Sequence, residues 1–200
     1  GTAVAAPPST RRAPREASWR LLLATGLLHW VAVMCYNIYL SLFCLSRGMG
    51  ASTPGLAVGA AIVGEVFALA VAPTVFARVS PSFAILAAVG VSVLRWVLTA
   101  LCHQPWEVIS LQTLHCLSFG LWYAGVMRVM DHFAETTDRA LLQSHFAAAA
   151  FGLGSVIAGV AGGQLVGARG PVAAMWLAAS FDALAFAALL VIWKRRVWER

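Results

Sequence analysis

Charged residues are scarce in this sequence. Only 11% of the 200 residues are Asp, Glu, Lys or Arg, whereas 60% are hydrophobic, and the mean hydropathy is +0.81. Soluble domains carry about 25% charged residues, so the chain lacks the charged surface that such a domain needs. We therefore predict an integral membrane protein whose solvent is the lipid bilayer.

The motifs of several other protein classes are also missing. There is no HExxH motif and no Cys/His cluster with metal-ligand spacing, and Ser155 in "GLGSVIAG" is followed by Val156 instead of the Gly of an intramembrane serine protease. The net charge is +6, but no known nucleic-acid module is present and the basic residues cluster at segment ends. We predict a protein that is not an enzyme, uses no metal or cofactor and binds no nucleic acid.

Paired cysteine motifs are absent as well. The cysteines form no CxxC pair and lie within or at the ends of apolar runs, which predicts buried free thiols. A disulfide between Cys44 and Cys102 stays open as an alternative, because both lie at span ends that fall on the same side. The four residues are Cys35, Cys44, Cys102 and Cys116.

What the sequence does have is six apolar runs of roughly the 20 residues that a bilayer-crossing helix needs. Residues 1–20, rich in Pro, Ala, Ser and Arg, predict a disordered cytoplasmic linker, and the missing initiator Met indicates a chain cut from something longer. Residues 194–200 predict a basic cytoplasmic tail. The predicted membrane domain covers 21–193, with spans at 21–46, 55–77, 82–102, 106–130, 139–167 and 172–193.

Basic residues are distributed unevenly between the two sides of these spans. If six spans are threaded, Arg47 and Arg169 fall on one side, Arg95 lies within a span, and all other Lys and Arg residues fall on the opposite side. The side rich in Lys and Arg is the cytoplasmic one. We therefore predict that both termini are cytoplasmic and that the membrane is a bacterial-type inner membrane.

Three charged or titratable residues lie inside spans two, three and four. At a rise of ~1.5 Å per residue, Glu65, Arg95 and His115 lie roughly 15, 10 and 13 Å from the outer face. A charge at the bilayer centre costs roughly 2.5 to 3.5 kcal/mol, so such residues are usually paired and functional. We predict that the three meet and bind and release a proton; the alternative is a salt bridge that only fixes helix packing.

The segment "LQTLHCLSFG" carries polar residues where lipid-facing positions would be apolar. Gln112, His115, Phe119 and Trp122 follow at i, i+3, i+7 and i+10, so they share one helical face. An amide, an imidazole and two aromatic rings suit a wet cavity that holds an organic solute. For His115 alone, a hydrogen bond to a neighbouring helix is the alternative.

Further polar residues lie within spans one and six. Asp182 is near mid-depth on span six, where it either pairs with a group from a missing half or lines the cavity. His29 and Asn37, two turns apart, are predicted to share a face of span one. They are candidates for the site, with interhelical hydrogen bonds as the alternative.

Span five carries small residues at every fourth position. Ser155, Gly159, Gly163 and Gly167 would share one face and let another backbone approach closely. The stripe predicts tight helix packing; the alternative is a sliding surface in a protein that changes shape.

These segments together resemble the C-terminal half of a major facilitator superfamily transporter. "LRW", "LQTLHCLSFG" and "QSHFAAAAFGLGSVIAGVAGGQLVGARG" are similar to the subgroup that contains the phenylpropionate transporter and relatives of the lactose and nucleoside proton symporters. The likeness covers residues 20–193, and Cys116 stands where that subgroup has Gly. The matching positions are Glu65, Arg95, Trp96, Gln112, His115, Phe119, Gly120 and Gln143.

The resemblance implies a fold and a function. The family has twelve spans in two six-span halves, so this chain would be an all-α half built from two inverted three-helix repeats. It implies alternating access around a site shared with the N-terminal six-helix half, and proton-coupled transport of a small organic solute. The aromatic residues of span four together with Arg95 favour an aromatic carboxylate. The alternative is a six-span, half-size membrane protein that dimerises or acts as an interaction module.

Overall fold

The computed structural model describes residues 12–134, 138–195 and 198, and every regular element in those ranges is a helix. Two elements are short π-helices, named π1 and π2 here. The elements are α1 (Arg12–Ser46), α2 (Thr53–Phe76), α3 (Pro81–Leu101), α4 (Pro105–Gln112), π1 (Cys116–Gly120), α5 (Leu121–Ala134), α6 (Arg139–Phe146), π2 (Ala147–Leu153), α7 (Gly154–Arg169) and α8 (Val172–Lys194).

Within the described ranges, five helices are long and apolar enough to cross a membrane: Glu16–Ser46, Thr53–Phe76, Pro81–Leu101, Arg139–Arg169 and Val172–Lys194. They coincide with predicted spans one, two, three, five and six. The integral membrane character of the chain is thereby supported, while the count of six spans and the inverted repeats stay predictions.

Predicted span four is the one that is interrupted. It consists of α4, π1 and α5, with a turn at residues 113–114. Backbone bonds of the i→i+3 type tighten this turn, from the Thr113 N–H to the Ser110 carbonyl and from the Leu114 N–H to the Leu111 carbonyl. A π-helix inside a longer helix is frequent at functional sites, and π2 forms a second one within predicted span five.

Local sequence signals explain where the helices begin and end. Pro81 occupies the first turn of α3, where the Ser80 hydroxyl accepts from the Phe83 N–H over 3.3 Å. At the start of α4, Glu107 Oε2 accepts from the backbone N–H groups of His103 and Gln104 and completes a capping box. Gly48, with a φ of 71°, follows the end of α1.

The two ends of the described part of the chain meet at one end of the bundle. α1 begins at Arg12, so residues 12–20 of the predicted linker are helical, whereas residues 1–11 lie outside the described residues. The Trp198 indole N–H donates to the Ser18 carbonyl over 3.2 Å, which docks this part of the predicted tail onto α1.

Helix packing is uneven around the bundle. α8 contacts α1 and α3, α1 also contacts α7, and α2 contacts α4 and π1. Within the most apolar window of each span, 56% of α3 is buried, against 22% of α2 and 28% of Arg139–Arg169. α3 is therefore central, while α2 and α7 present most of their apolar surface outwards.

α2 and π1 cross with almost no side chains between them. A Cβ added to Gly120 would lie 2.8 Å from the Ala68 Cβ, and a Cβ added to Gly64 would lie 3.2 Å from the Cys116 Cβ. Small residues allow such close approach of two helices in a membrane. This crossing fixes the two segments that carry Glu65 and His115.

The predicted stripe of small residues on span five is displaced by one residue. A Cβ added to Gly159 or Gly167 would meet no atom within 4 Å. The residues that pack are Gly154, Ala158 and Gly162, all of which are buried. The prediction of tight packing at the stripe is therefore wrong for Gly159 and Gly167.

The cysteines are all free, including Cys44 and Cys102. Cys35, Cys44 and Cys102 are buried as predicted, whereas Cys116 is partly exposed beside the α2–π1 crossing.

Candidate functional site

His115 lies between Arg95 and Glu65. Its Nδ1 is 2.7 Å from Arg95 Nη1, and its Nε2 is 3.8 Å from Glu65 Oε2. α2 supplies the carboxylate, α3 the guanidinium and the interrupted span the imidazole. The structure thus brings together the three residues whose estimated depths were similar; their role stays a prediction.

The chemistry of Arg95 fixes which ring nitrogen of His115 carries a proton. A guanidinium only donates hydrogen bonds, so Nδ1 must accept, and the proton of a neutral imidazole sits on Nε2. That N–H points towards the Glu65 carboxylate across 3.8 Å, a separation longer than a hydrogen bond. The arrangement holds an imidazole and a carboxylate one small side-chain movement away from direct contact.

Arg95 itself is completely buried. Its guanidinium carbon lies 4.0 Å from the centroid of the Trp96 ring and 5.6 Å from that of Tyr36, and its exposed fraction is 0%. Aromatic faces attract a cation more strongly when water is excluded. Arg95 is therefore an internal group that acts on His115 and is not available to a solute in this structure.

Asp182 belongs to a second, separate polar group. Its Oδ1 lies 2.7 Å from His29 Nδ1, and its Oδ2 accepts from the Trp96 indole N–H over 2.6 Å. The side chains of both Asp182 and His29 are 0% exposed. Asp182 is thus paired within this chain, which corrects the expectation that it lines the cavity or pairs with a missing half.

The predicted common face of His29 and Asn37 is not observed. His29 points into the bundle, where its ring lies 4.5 Å from that of Trp122. Asn37 is exposed, and the contact described for its amide is a weak one to Met34 Sδ at 3.9 Å. The interhelical hydrogen bond foreseen as an alternative is therefore present for His29 alone.

The predicted polar face of span four is split in two. Gln112 and Trp122 are buried, at 0% and 1% exposure, and Gln112 Nε2 donates to the Val108 carbonyl of its own helix. His115 and Phe119 are partly exposed. Only these last two residues fit the prediction of a cavity-lining face.

A column of parallel rings extends from His115 to Phe119 and Tyr123. The His115 and Phe119 rings are 5.0 Å apart with an interplanar angle of 5°, and the Phe119 and Tyr123 rings are 6.1 Å apart at 19°. Sequence reasoning missed Tyr123, because eight residues of regular α-helix would turn it about 80° away from His115, whereas π1 lies between the two residues and brings their rings into one column.

Trp30 and Phe151 complete an aromatic corner next to this column. Trp30 of α1 lies 5.8 Å from Phe119 and 4.2 Å from Phe151 of π2. Its indole N–H donates to Ser155 Oγ over 3.0 Å, which fixes the orientation of the ring. Sequence reasoning also missed these two residues, since nothing in an apolar helix indicates which aromatic residues will meet.

Metal binding finds no support in the described ranges, where no group of three or more His, Cys, Asp or Glu side chains converges.

Comparison with known proteins identifies the family. No curated protein and no solved structure shows significant similarity to the chain. The model of the family described as "MFS_1 like family" matches residues 12–178, which include α1 to α7 and the first part of α8. This agrees with the apolar helices and points to a transporter rather than an enzyme. The chain therefore belongs to the MFS_1 like family and is a member of the major facilitator superfamily.

Proposed function

We propose that this chain is the C-terminal half of a proton-coupled secondary transporter that moves a small organic solute by alternating access. The observation that carries the proposal is the position of His115, bonded to Arg95 through one ring nitrogen and directed at Glu65 through the other. With Nδ1 accepting from Arg95 and the ring proton on Nε2, Glu65 is the member of this group that can take up and release a proton, and the His115 Nε2–H can donate a hydrogen bond to its ionised form.

The relative position of α2 and π1 would control that exchange. Glu65 and His115 are 3.8 Å apart, about 1 Å beyond hydrogen-bond distance. Because α2 is the least covered span, a small shift of α2 against π1 would close or open this gap. Whether the His115 Nε2–H reaches the ionised carboxylate and stabilises it would then depend on the conformation of the bundle, so uptake of a proton by Glu65 would be coupled to that conformation.

Arg95 would serve as the fixed member of the group. A guanidinium does not lose its proton in proteins, and Arg95 lies beside the rings of Trp96 and Tyr36. It would keep His115 Nδ1 an acceptor and the ring proton on Nε2, where that N–H can donate to Glu65. The exchangeable proton would therefore be the one that the Glu65 carboxyl takes up and releases.

The site residues support one part of the predicted solute, its aromatic ring, and not the other, its carboxylate. The partly exposed rings of His115, Phe119 and Tyr123 support the aromatic part of the predicted aromatic carboxylate. The carboxylate part relied on Arg95, which is fully buried and already bonded to His115. We therefore retain a flat, ring-bearing solute and do not retain Arg95 as its anchor.

The test is proton-driven uptake into membrane vesicles by the complete gene product. The solutes are a panel of aromatic acids, aromatic amines, sugars and nucleosides, and the variants are Glu65→Gln, Arg95→Lys and His115→Ala. We expect Glu65→Gln to lose accumulation under a pH gradient while it keeps solute exchange. Glu16→Gln is the matched control, because Glu16 is an exposed carboxylate on α1. Wild-type accumulation in all three variants would show that the group serves packing alone.

A second candidate is a six-span protein that associates with a second copy of itself. The outward apolar surfaces of α2 and of Arg139–Arg169, of which only 22% and 28% are buried, need either lipid or a partner. In the first proposal that partner is the N-terminal six-helix half; in the second it is another copy. Native mass spectrometry of the complete gene product in lipid nanodiscs separates the two, because the first predicts one chain per particle and the second predicts two.

The proposed setting is a bacterial-type inner membrane with both termini in the cytoplasm. The sequence asymmetry of Lys and Arg supports it, and the contact between Trp198 and Ser18 is compatible with it because it holds both ends of the described chain together. Accessibility of tags at the two termini in sealed inside-out vesicles tests this orientation.

A further inference from the structure

We propose that the open face formed by Glu65 and the rings of His115, Phe119 and Tyr123 binds a flat aromatic compound that carries a cationic nitrogen. This inference rests on the proposed function, because it names the class of solute for the same site. It replaces the aromatic carboxylate that the sequence alone favoured.

The exposed charge at this face is negative. The Glu65 side chain is 29% exposed and the His115 side chain 12%, whereas Arg95 and Asp182 are both 0% exposed. Arg95 Nε and Nη2 have no hydrogen-bond partner among the described residues, but the whole side chain is buried, so the carboxylate of a solute at this face does not reach them. A solute that reaches this face therefore meets a carboxylate first, and a cation is the complementary charge.

The rings beside Glu65 favour the same class of compound. His115, Phe119 and Tyr123 stack in parallel at successive i+4 positions, and all three are partly exposed. Their centroids are 5.0 and 6.1 Å apart, which leaves no room for another ring between them. A solute ring would lie along the column, and the rings would also attract a positive charge.

Trp30 limits the space at the far side of the column. Its ring lies 5.8 Å from Phe119 and is fixed by the hydrogen bond to Ser155. The aromatic column is thus bounded by α1 on one side and by Glu65 of α2 near His115. A carboxylate at one end and aromatic surface along the rest match a short aromatic amine with its nitrogen at one end.

The test uses three probes that share the same ring and chain: 3-phenylpropylamine, 3-phenylpropanol and 3-phenylpropionate. Binding to the purified complete gene product in nanodiscs is measured by titration calorimetry at neutral pH. We expect the amine to bind at least about tenfold more tightly than the alcohol, as a hydrogen-bonded charge pair would give, and the carboxylate to bind most weakly.

Two variants separate the contribution of charge from that of the rings. Glu65→Gln, which keeps the side-chain shape, should remove the preference for the amine and leave the affinity for the alcohol unchanged. Phe119→Leu should weaken the binding of all three probes by a similar factor. Phe83→Leu is the control for Phe119→Leu, since Phe83 is an aromatic residue with 45% exposure on α3, away from this face.

The outcomes distinguish this inference from the proposed function. Preferred binding of 3-phenylpropionate, equal affinities for the three probes, or no binding of the amine at roughly millimolar concentration would overturn the inference. Proton-driven accumulation of any other solute in the vesicle assay would leave the proposed function standing in those cases. Conversely, amine binding that depends on Glu65, without accumulation under a pH gradient, supports the inference and contradicts proton coupling.

Discussion

The indole N–H of Trp96 donates to Asp182 over 2.6 Å, with neither side chain exposed. The guanidinium carbon of Arg95 lies 4.0 Å from the centroid of the same indole ring, and Arg95 bonds to His115. A carboxylate on α8 thus orients a ring on α3, and that ring supports the cation of the candidate site. Asp182 is connected to the site without being part of its open face.

Removing the Asp182 carboxylate should destabilise the protein strongly. Asp182→Ala leaves the N–H groups of Trp96 and His29 without their acceptor in a buried position, and loss of one partner of a buried pair costs about 3–5 kcal/mol. Asp182→Asn keeps an acceptor oxygen and should cost less. The measurement is the thermal unfolding midpoint of the purified complete gene product, with Glu16→Ala as the exposed control. Equal midpoints for Asp182→Ala and wild type would contradict this reading of the contact.

Gly120 should control the distance between Glu65 and His115. In Gly120→Ala, the new Cβ would lie 2.8 Å from the Ala68 Cβ, so α2 must move away from π1, at a cost of about 1–3 kcal/mol. We expect lower thermal stability and reduced proton-coupled accumulation.

The matched control for Gly120→Ala is Gly59→Ala, because a Cβ at that position of α2 meets no atom within 4 Å. The double variant Gly120→Ala with Ala68→Gly removes the new contact and should restore both properties. If the double variant is as impaired as Gly120→Ala, the steric explanation is wrong.

The depth of residues along the membrane normal was predictable from the sequence, because the rise per residue of a helix is fixed. Glu65, Arg95 and His115 were expected at similar depth and are in contact or near contact. Five of the six predicted spans also coincide with helices that can cross a membrane. These properties depend on counting residues and on hydropathy alone.

The rotation of each helix about its axis was not predictable in the same way. In lipid, both the inner and the outer face of a helix are apolar, so periodicity does not identify the inner face. His29 and Asn37 are eight residues apart, which at 3.6 residues per turn leaves them about 80° apart. His29 accordingly reaches Asp182 while Asn37 is exposed.

The π-helix explains why the polar face of span four was predicted incorrectly. The i+7 and i+10 spacing assumed 3.6 residues per turn, but π1 closes i→i+5 bonds and takes more residues for each turn. Counted from His115, the partly exposed rings therefore follow at i+4 (Phe119) and i+8 (Tyr123), whereas Trp122 is buried. A single local change in helix type moved one predicted residue off the face and brought another onto it.

The displaced contact of α7 can be tested with two alanine variants. Gly162 packs against the Tyr39 ring, and the Tyr39 hydroxyl donates to the Gly159 carbonyl over 2.8 Å. Gly162→Ala should lower stability by about 1–3 kcal/mol, whereas Gly167→Ala should stay within about 0.5 kcal/mol of wild type or be slightly more stable. Thermal unfolding of the two variants measures the difference, and the opposite order would favour the stripe predicted from the sequence.

Cys116 should be the thiol that reacts first with a maleimide. It is partly exposed beside His115, while Cys35, Cys44 and Cys102 are at most 4% exposed, and alkylation requires both access and a thiolate. Mass spectrometry after brief treatment with N-ethylmaleimide should find the label on Cys116, and Cys116→Ser should remove the fast phase of labelling.

Because Cys116 adjoins the ring column, 3-phenylpropylamine should slow its labelling by at least about threefold at concentrations that fill the site. Labelling of Cys35 or Cys44 before Cys116 would contradict the packing of α1 described here, and a Cys116 rate unaffected by bound amine would move the solute away from this face.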